Sequence, residues 1–315
     1  MQNLQNLLEQ SNDLPSLPEI YIRVSELLED DDSDAQKIGK AVQTDPSLTA
    51  KILKMVNSAF YGLPIQVTSI PQAVTLLGRQ QLKQILMGSV LAGVFSDINI
   101  PNFPMRKFWE HSIQTAIIAR HLALQNASII DHEAFFTAGL LHDIGRLVIA
   151  RVAPDELIEI NDIVDAGGID VILAEENQLG ITHVDVGVAL MQKWGMPGLL
   201  TQCIKHHHDS DHKGPFAIET SIVYLANQLS QKPLVQDEDE MPATLSTIAN
   251  WQQTDNTPQQ IFMACQLADE QWYEVIESLG MVDMEISDDF YWGNTNLLQP
   301  SKNRLNVIHL HYFLL

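Results

Sequence analysis

Helix-start signals recur from the start of the chain to about Gly280, and no run alternates apolar and polar residues with the period of two that marks a half-buried strand. That combination excludes a sheet-based architecture and predicts an all-α fold. Leu14-Pro15-Ser16-Leu17-Pro18-Glu19 stiffens the entry and sets Pro18 early in a helix carrying Ile20, Val24, Leu27 and Leu28 on one side. The acidic run Glu29 to Asp34 should end it as a hydrated loop, because like charges repel. Ser33, with Gln36 three residues on, reads as a capping box for a short helix through Ile38, Ala41 and Val42. Asp45-Pro46 reads as an N-cap followed by proline at the first helical position, where the missing N–H is harmless; Leu48, Ile52, Leu53 and Val56 then share a face. Asn57 and Ser58 are expected to satisfy backbone groups where that helix ends. Ser69 and Gln72 give another capping box, with Gly78 as the stop, and Leu82, Ile85, Leu86 and Val90 continue the helical pattern to about Phe95.

Pro101-Asn102-Phe103-Pro104 is the strongest internal punctuation. It suggests an N-terminal helical subdomain over 1–103, a second helical subdomain over 104–232 and a C-terminal helical extension and tail over 233–315. Histidine use changes at that boundary: of 11 histidines none precedes it, and nine fall between His111 and His212. His111 opens a helix through Ile113, Ala116, Ile117 and Leu122. The apolar helix Ala134 to Leu141 then delivers His142 beside Asp143, an imidazole nitrogen and a carboxylate oxygen for one ion, a ligand set suited to Mn, Fe, Zn or Ni. Read locally, the same pair closes a helix with Gly145 as its stop.

Two helices follow, one opened by Pro154 and ended by Gly167-Gly168, the other running from about Ile169 to Gly180, and both read as packing elements. Thr182-His183-Val184-Asp185 is a capped start. The helix through Leu199, Leu200, Cys203 and Ile204 runs into His206-His207-His208-Asp209; three successive histidines make a poor core and fit either a solvated helix end or a ligand cluster. The helix Glu219 to Leu229 ends its apolar face beside Asn227. Gln236 to Met241 reads as an acidic linker, and Thr257-Pro258-Gln259-Gln260 opens a helix reaching about Gly280 that should pack back on the main body. From Met281 onward no clear period appears.

Charge and cysteine content limit the function. Eighteen Lys and Arg face 40 Asp and Glu, and a net charge of -22 repels phosphate backbones and anionic membrane surfaces, so neither nucleic acid nor a membrane is an expected partner. Cys203 and Cys265 form no CxxC spacing and no disulfide framework, which fits a reducing cytoplasm. No basic residue precedes Arg23, unlike a secretory start, and the apolar stretch Ile85 to Phe95 is too short to span a bilayer.

Taken together, the segments resemble the HDOD signalling domains, a branch of the HD superfamily. The resemblance is carried by Leu14-Pro15-Ser16-Leu17-Pro18-Glu19, Thr44-Asp45-Pro46-Ser47-Leu48-Thr49, Asn57-Ser58-Ala59-Phe60-Tyr61-Gly62, and Ser69-Ile70-Pro71-Gln72-Ala73-Val74 with Leu76-Leu77-Gly78. The second half adds Trp109-Glu110-His111-Ser112, His142-Asp143, His183 with Gly187, and Trp194-Gly195-Met196-Pro197 before the histidine cluster. Coverage runs from about residue 12 to 230.

The resemblance implies an HD-domain-like helical bundle with an N-terminal helical subdomain. It also implies one or two divalent transition metal ions (Fe, Mn, Zn or Ni). His111, His142 and Asp143 match the first ion's ligands, and His183, His207 and His208 those used by members with a second ion. Asn227 stands where the superfamily has a late aspartate, and a neutral amide is a poorer ligand for a hard cation. Lys107 replaces the glutamate of relatives with three-metal sites, and the Gly-Tyr-Pro motif of cyclic-di-GMP-degrading relatives is absent.

Two functions are therefore open. One is a regulatory output module, without established catalysis, whose partner is a signalling protein. The other is a metal-dependent phosphohydrolase or phosphodiesterase acting on a nucleotide or cyclic dinucleotide. In that case Asp143 and Arg146 would be catalytic, the planar fork of Arg146 clamping phosphate oxygens unless it is merely an exposed helix-end charge. The departures at Asn227 and downstream of His208 favour the regulatory expectation.

Overall fold

Side chains that replace missing helical acceptors set several of the helix starts. The computed structural model describes residues 14–129, 131–167 and 169–281. Helix α1 spans Glu19–Glu29 and α2 spans Ala35–Val42. The cap of α2 is Asp34, whose carboxylate accepts the Lys37 N–H at 2.7 Å, rather than the expected Ser33. Ser33 is instead buried and donates to Asp30 at 2.6 Å. Either residue can cap, and burying Ser33 requires a local acceptor for its hydroxyl.

Helix α3, Pro46–Val56, starts where Asp45 accepts the Leu48 N–H at 3.0 Å, as predicted. Helix α4, Ile70–Leu77, forms only half of its expected box: Ser69 accepts from the Gln72 N–H at 3.4 Å, but Gln72 takes the Thr68 N–H at 3.0 Å. Gly78, at φ +85°, ends it and opens α5, Arg79–Val94.

The second half comprises α6 (Met105–Leu124), α7 (Glu133–Leu141), α8 (Ile144–Val152), α9 (Pro154–Asp165), α10 (Val171–Leu179), α11 (His183–Lys193), α12 (Gly198–His206) and α13 (Ala217–Ser230). Beyond it lie α14 (Met241–Leu245) and α15 (Pro258–Ser278), with short 3-10 turns at Glu238–Glu240 and Trp251–Thr254. The capped start at Thr182 is a full capping box with Asp185, and the predicted box at Thr257–Gln260 is complete. No strand occurs among the described residues, so the fold is all-α as expected. Residues 282–315, the stretch without a clear period, lie outside the described residues.

Helix α6 is the axis, with α7, α13 and α15 packed along it. Its buried face carries Trp109, Ile113, Ala116 and Ile117. Alanine at 116 matters because α7 crosses there in backbone contact: a Cβ on Gly139 would lie 2.5 Å from the Ala116 Cα. Buried Glu133, at the start of α7, accepts from Arg120 Nη2 at 2.7 Å, while Phe136 meets Phe60 at 5.3 Å.

The proline- and asparagine-bearing motifs of the first half act as latches. Trp194 donates its indole N–H to the Pro15 carbonyl at 2.8 Å. Asn57 donates to Leu53 and Val67 carbonyls at 2.8 Å each and accepts the Val67 N–H at 2.7 Å, the end-capping role expected of it. Glu274 of α15 accepts the Ala59 N–H at 3.0 Å, tying the C-terminal helix to that same turn. The acidic run is not simply hydrated either, since Arg79 donates to the Asp30 carbonyl at 2.6 Å and closes the end of α1.

One consequence is acid sensitivity. Burial first, and the Arg120 charge second, push His121 of α6 down from 6.5 to about 4. Between those values the unfolded chain binds a proton that the folded chain refuses, so stability falls as pH drops. His121→Gln should therefore lose about 1–2 kcal/mol less than the wild type between roughly pH 7 and pH 5. Urea unfolding at the two pH values checks this, and equal losses in both proteins would refute it.

Candidate metal centre

The helix ending at Leu141 does not simply stop. His142 keeps helical angles, Asp143 leaves them at φ -99° and ψ 12°, and α8 resumes at Ile144. This one-residue break turns the Asp143 carboxylate inward. Gly145 is thus not the stop that its local sequence suggested. It belongs to the first turn of α8, where a Cβ would fall 1.9 Å from the His183 carbonyl oxygen and 2.9 Å from the Gly187 nitrogen. The bare backbone lets the start of α11 lie directly on α8, and that contact brings His183 to Asp143.

Five imidazoles surround the carboxylate. Asp143 Oδ1 lies 3.2 Å from His183 Nε2 and 3.2 Å from His207 Nε2. Its Oδ2 lies 3.6 Å from His142 Nε2 and 3.8 Å from His111 Nε2. His208 Nε2 is 3.2 Å from His183 Nε2, and His111 Nε2 is 3.0 Å from His142 Nε2. Two ligand groups result, Asp143 with His183, His207 and His208, and Asp143 with His111 and His142, sharing the carboxylate.

The other ring nitrogens are spoken for. His142 Nδ1 donates to the Gly139 carbonyl at 2.7 Å, and His207 Nδ1 to the Ile204 carbonyl at 2.6 Å. His183 Nδ1 donates to Glu175 Oε2 at 2.7 Å, and His111 Nδ1 faces the Ser230 hydroxyl at 3.1 Å. At His142 and His207, whose Nδ1 partners are backbone carbonyls, Nδ1 carries the proton and Nε2 presents a lone pair inward, the tautomer that outer partners of metal-bound histidines impose. Nitrogens about 2.1 Å from one ion stand roughly 3.0–3.4 Å apart at angles between square and tetrahedral. The observed Nε2 spacings of 3.0 and 3.2 Å match that range. The residues therefore fit a divalent transition metal.

Charge supports the same arrangement. Burial pushes His142 down to about 3 and His208 to about 2, keeping both neutral and able to bind metal. Burial alone would raise Asp143, but His142, His183 and His207 hold it well below the usual carboxylate range. Burial likewise pulls His183 down, yet the Glu175 and Asp143 carboxylates outweigh it and lift the ring to about 9 without metal.

Asn227 and Arg146 occupy less obvious positions. Buried Asn227 donates to the His207 carbonyl at 3.3 Å and accepts from Gln231 at 2.8 Å, so its amide is committed to the frame of the centre. Arg146 is not an exposed helix-end charge. It donates to Asn161 at 2.9 Å, its guanidinium lies 5.6 Å from the Phe103 ring centroid, and its Nε is buried without a partner. Burial lowers His111, the Asp143 carboxylate opposes that, and the Arg146 charge adds to it. His206 is turned away, towards Asp209 and His212.

Two participants escaped the sequence. Glu175, in a helix read as packing, is fully buried and accepts both the backbone N–H and the ring N–H of His183, at 2.8 and 2.7 Å. The available signal was a carboxylate on the same buried helix face as Leu179, four residues on. Ser230 accepts from Thr115 at 2.8 Å and donates to the Asn227 carbonyl at 3.0 Å, fixing His111 from behind.

An all-α domain with a His-Asp break at the focus of a histidine cluster defines the class of protein. The chain belongs to the HDOD domain family, whose model matches residues 14–210. It is similar to a provisionally assigned phosphohydrolase from Shewanella amazonensis, at 26% identity and a TM-score of 0.72, over 87% of this chain and 97% of that one. A provisionally assigned signal transduction protein from Marinobacter aquaeolei shares the fold, with 24% identity and a TM-score of 0.67 over 89% and 61% of the two chains. An uncharacterized protein of Treponema pallidum is 26% identical over 207 residues, 66% of this chain and 40% of that protein. The chain thus spans well under half the length of that relative.

Proposed function

We propose that this chain is a metal-binding regulatory module of bacterial-type signal transduction that hydrolyses phosphate esters slowly or not at all. The observation that carries the reading is the pairing of an intact, pre-oriented ligand set around Asp143 with an Asn227 amide committed to Gln231 and the His207 backbone. Four protein ligands enclose one position and three serve the other, which has no second carboxylate to hold a hard cation or balance its charge. The ligands suit Fe, Mn, Zn or Ni, one or two ions, and the partner of the module is a signalling protein or a phosphate-containing small molecule. No described helix is long and apolar enough to cross a membrane.

A second reading, metal-dependent phosphohydrolase, is favoured by one feature. Arg146, whose charge acts on His111 of the three-ligand group, carries a buried Nε–H without a partner. There a divalent ion would supply Lewis acidity at a phosphoryl oxygen. Arg146 would bind the remaining phosphate oxygens, Asp143 would hold the site's negative charge in place, and Glu175 would keep His183 oriented.

Phosphodiesterase assays with Mn(II)- or Fe(II)-loaded protein separate the readings, using bis(p-nitrophenyl) phosphate, nucleotides and cyclic dinucleotides. The regulatory reading expects wild-type turnover at background and an increase of about 10-fold or more in Asn227→Asp, comparable to the effect of a single metal-site partner. Robust wild-type turnover that disappears in His142→Ala would establish the hydrolase instead.

A further inference from the structure

A second histidine cluster lies on the surface, outside the centre around Asp143. His206 ends α12, and the loop after it carries Asp209 and His212. One ligand atom from each of the three falls within 4.8 Å of the others. His206 Nδ1 is 3.2 Å from Asp209 Oδ2, and the His206 and His212 rings stack with centroids 3.7 Å apart.

Two of the remaining polar atoms of these residues are already occupied. His212 Nε2 donates to the Pro215 carbonyl at 3.1 Å, which leaves its Nδ1 as a bare lone pair. Asp209 Oδ1 accepts the Asp211 N–H at 3.0 Å, leaving Oδ2 for the cluster. Gly214 provides room for the ring, because a Cβ there would sit 2.7 Å from His212 Cε1. The loop is also anchored from outside, Asn250 donating to the Ser210 carbonyl at 3.0 Å.

We propose that His206, Asp209 and His212 form a separate surface site for a borderline divalent cation of the Zn(II) class. Two imidazoles and one carboxylate match such an ion and leave positions for water. The Nε2–H···O=C bond of His212 is the kind of outer contact that fixes a ligating histidine, and the chain's net charge of -22 concentrates cations near it. None of the three residues serves the centre around Asp143, so the site does not depend on the function assigned there.

The test is equilibrium dialysis of the chelator-stripped full chain against Zn(II), followed by elemental analysis. Wild type should hold one equivalent more than His212→Ala and than Asp209→Asn, with the remaining equivalents bound as tightly as before. Gly214→Leu, which alters no ligand but fills the space of the His212 ring, should weaken the same equivalent at least tenfold. Equal Zn(II) content in wild type and His212→Ala would overturn the proposal and leave a hydrogen-bonded surface cluster only.

Discussion

Asp143→Ala is expected to empty the whole buried centre in one step. Both ligand groups use this carboxylate, Oδ1 facing His183 and His207 and Oδ2 facing His142 and His111. Loss of an outer partner of a ligand already costs 10–100-fold in affinity, so loss of a shared ligand should cost more than about 100-fold. His111→Ala is the contrast. It removes a ligand from the three-membered group alone and should leave the ion held by Asp143, His183, His207 and His208 in place. Metal content after dialysis reads both variants. An Asp143→Ala protein that keeps the wild-type complement at the buried centre would show that the carboxylate is not the common ligand.

Gly145→Ala should be nearly as damaging although it alters no ligand. A methyl group 1.9 Å from the His183 carbonyl oxygen cannot be accommodated by a rotamer change, because the obstacle is backbone. Helices α8 and α11 would have to separate, beyond the 1–3 kcal/mol usual for overpacking, so a loss of about 3 kcal/mol or more is expected. The separation also carries His183 away from Asp143, so metal should be lost along with stability. Gly187→Ala provides the control. Its Cβ would meet the Ile204 Cγ2 methyl at 2.9 Å, a side chain rather than backbone, and should cost about 1–3 kcal/mol. Urea midpoints and metal content measured on the two variants decide the point; wild-type metal binding in Gly145→Ala would mean that the α8–α11 contact does not position His183.

These two variants also mark how far the sequence could be read. Asp45, Thr182 and Thr257 announced their helices because a cap is a local contract between residues three apart. Ser33 failed as a cap only because the adjacent Asp34 is as good an acceptor, and burial decided between them. The histidine cluster was legible, since His142-Asp143 and His207-His208 are contiguous and every histidine named for the centre lies in a group with Asp143 that could hold an ion.

What the sequence withheld was contact between distant segments. Gly145 has the same local appearance whether it ends a helix or admits the backbone of another, and only the packing of α11 distinguishes the two. Glu175 lies eight residues before His183 with no local motif, so its two hydrogen bonds exist only once α10 and α11 are folded together. The direction in which Asn227 and Arg146 point was likewise set by tertiary partners, the His207 carbonyl and Asn161.

The most direct test of a metal centre shared through Asp143 is a crystal structure of protein loaded with Mn(II) or Zn(II), with anomalous data collected at the absorption edge of that metal. An anomalous peak within bonding distance of the Asp143 carboxylate and of the inward Nε2 atoms is the predicted result. Loaded crystals with no peak among these imidazoles, and with the 3.0–3.2 Å Nε2 contacts unchanged, would contradict it.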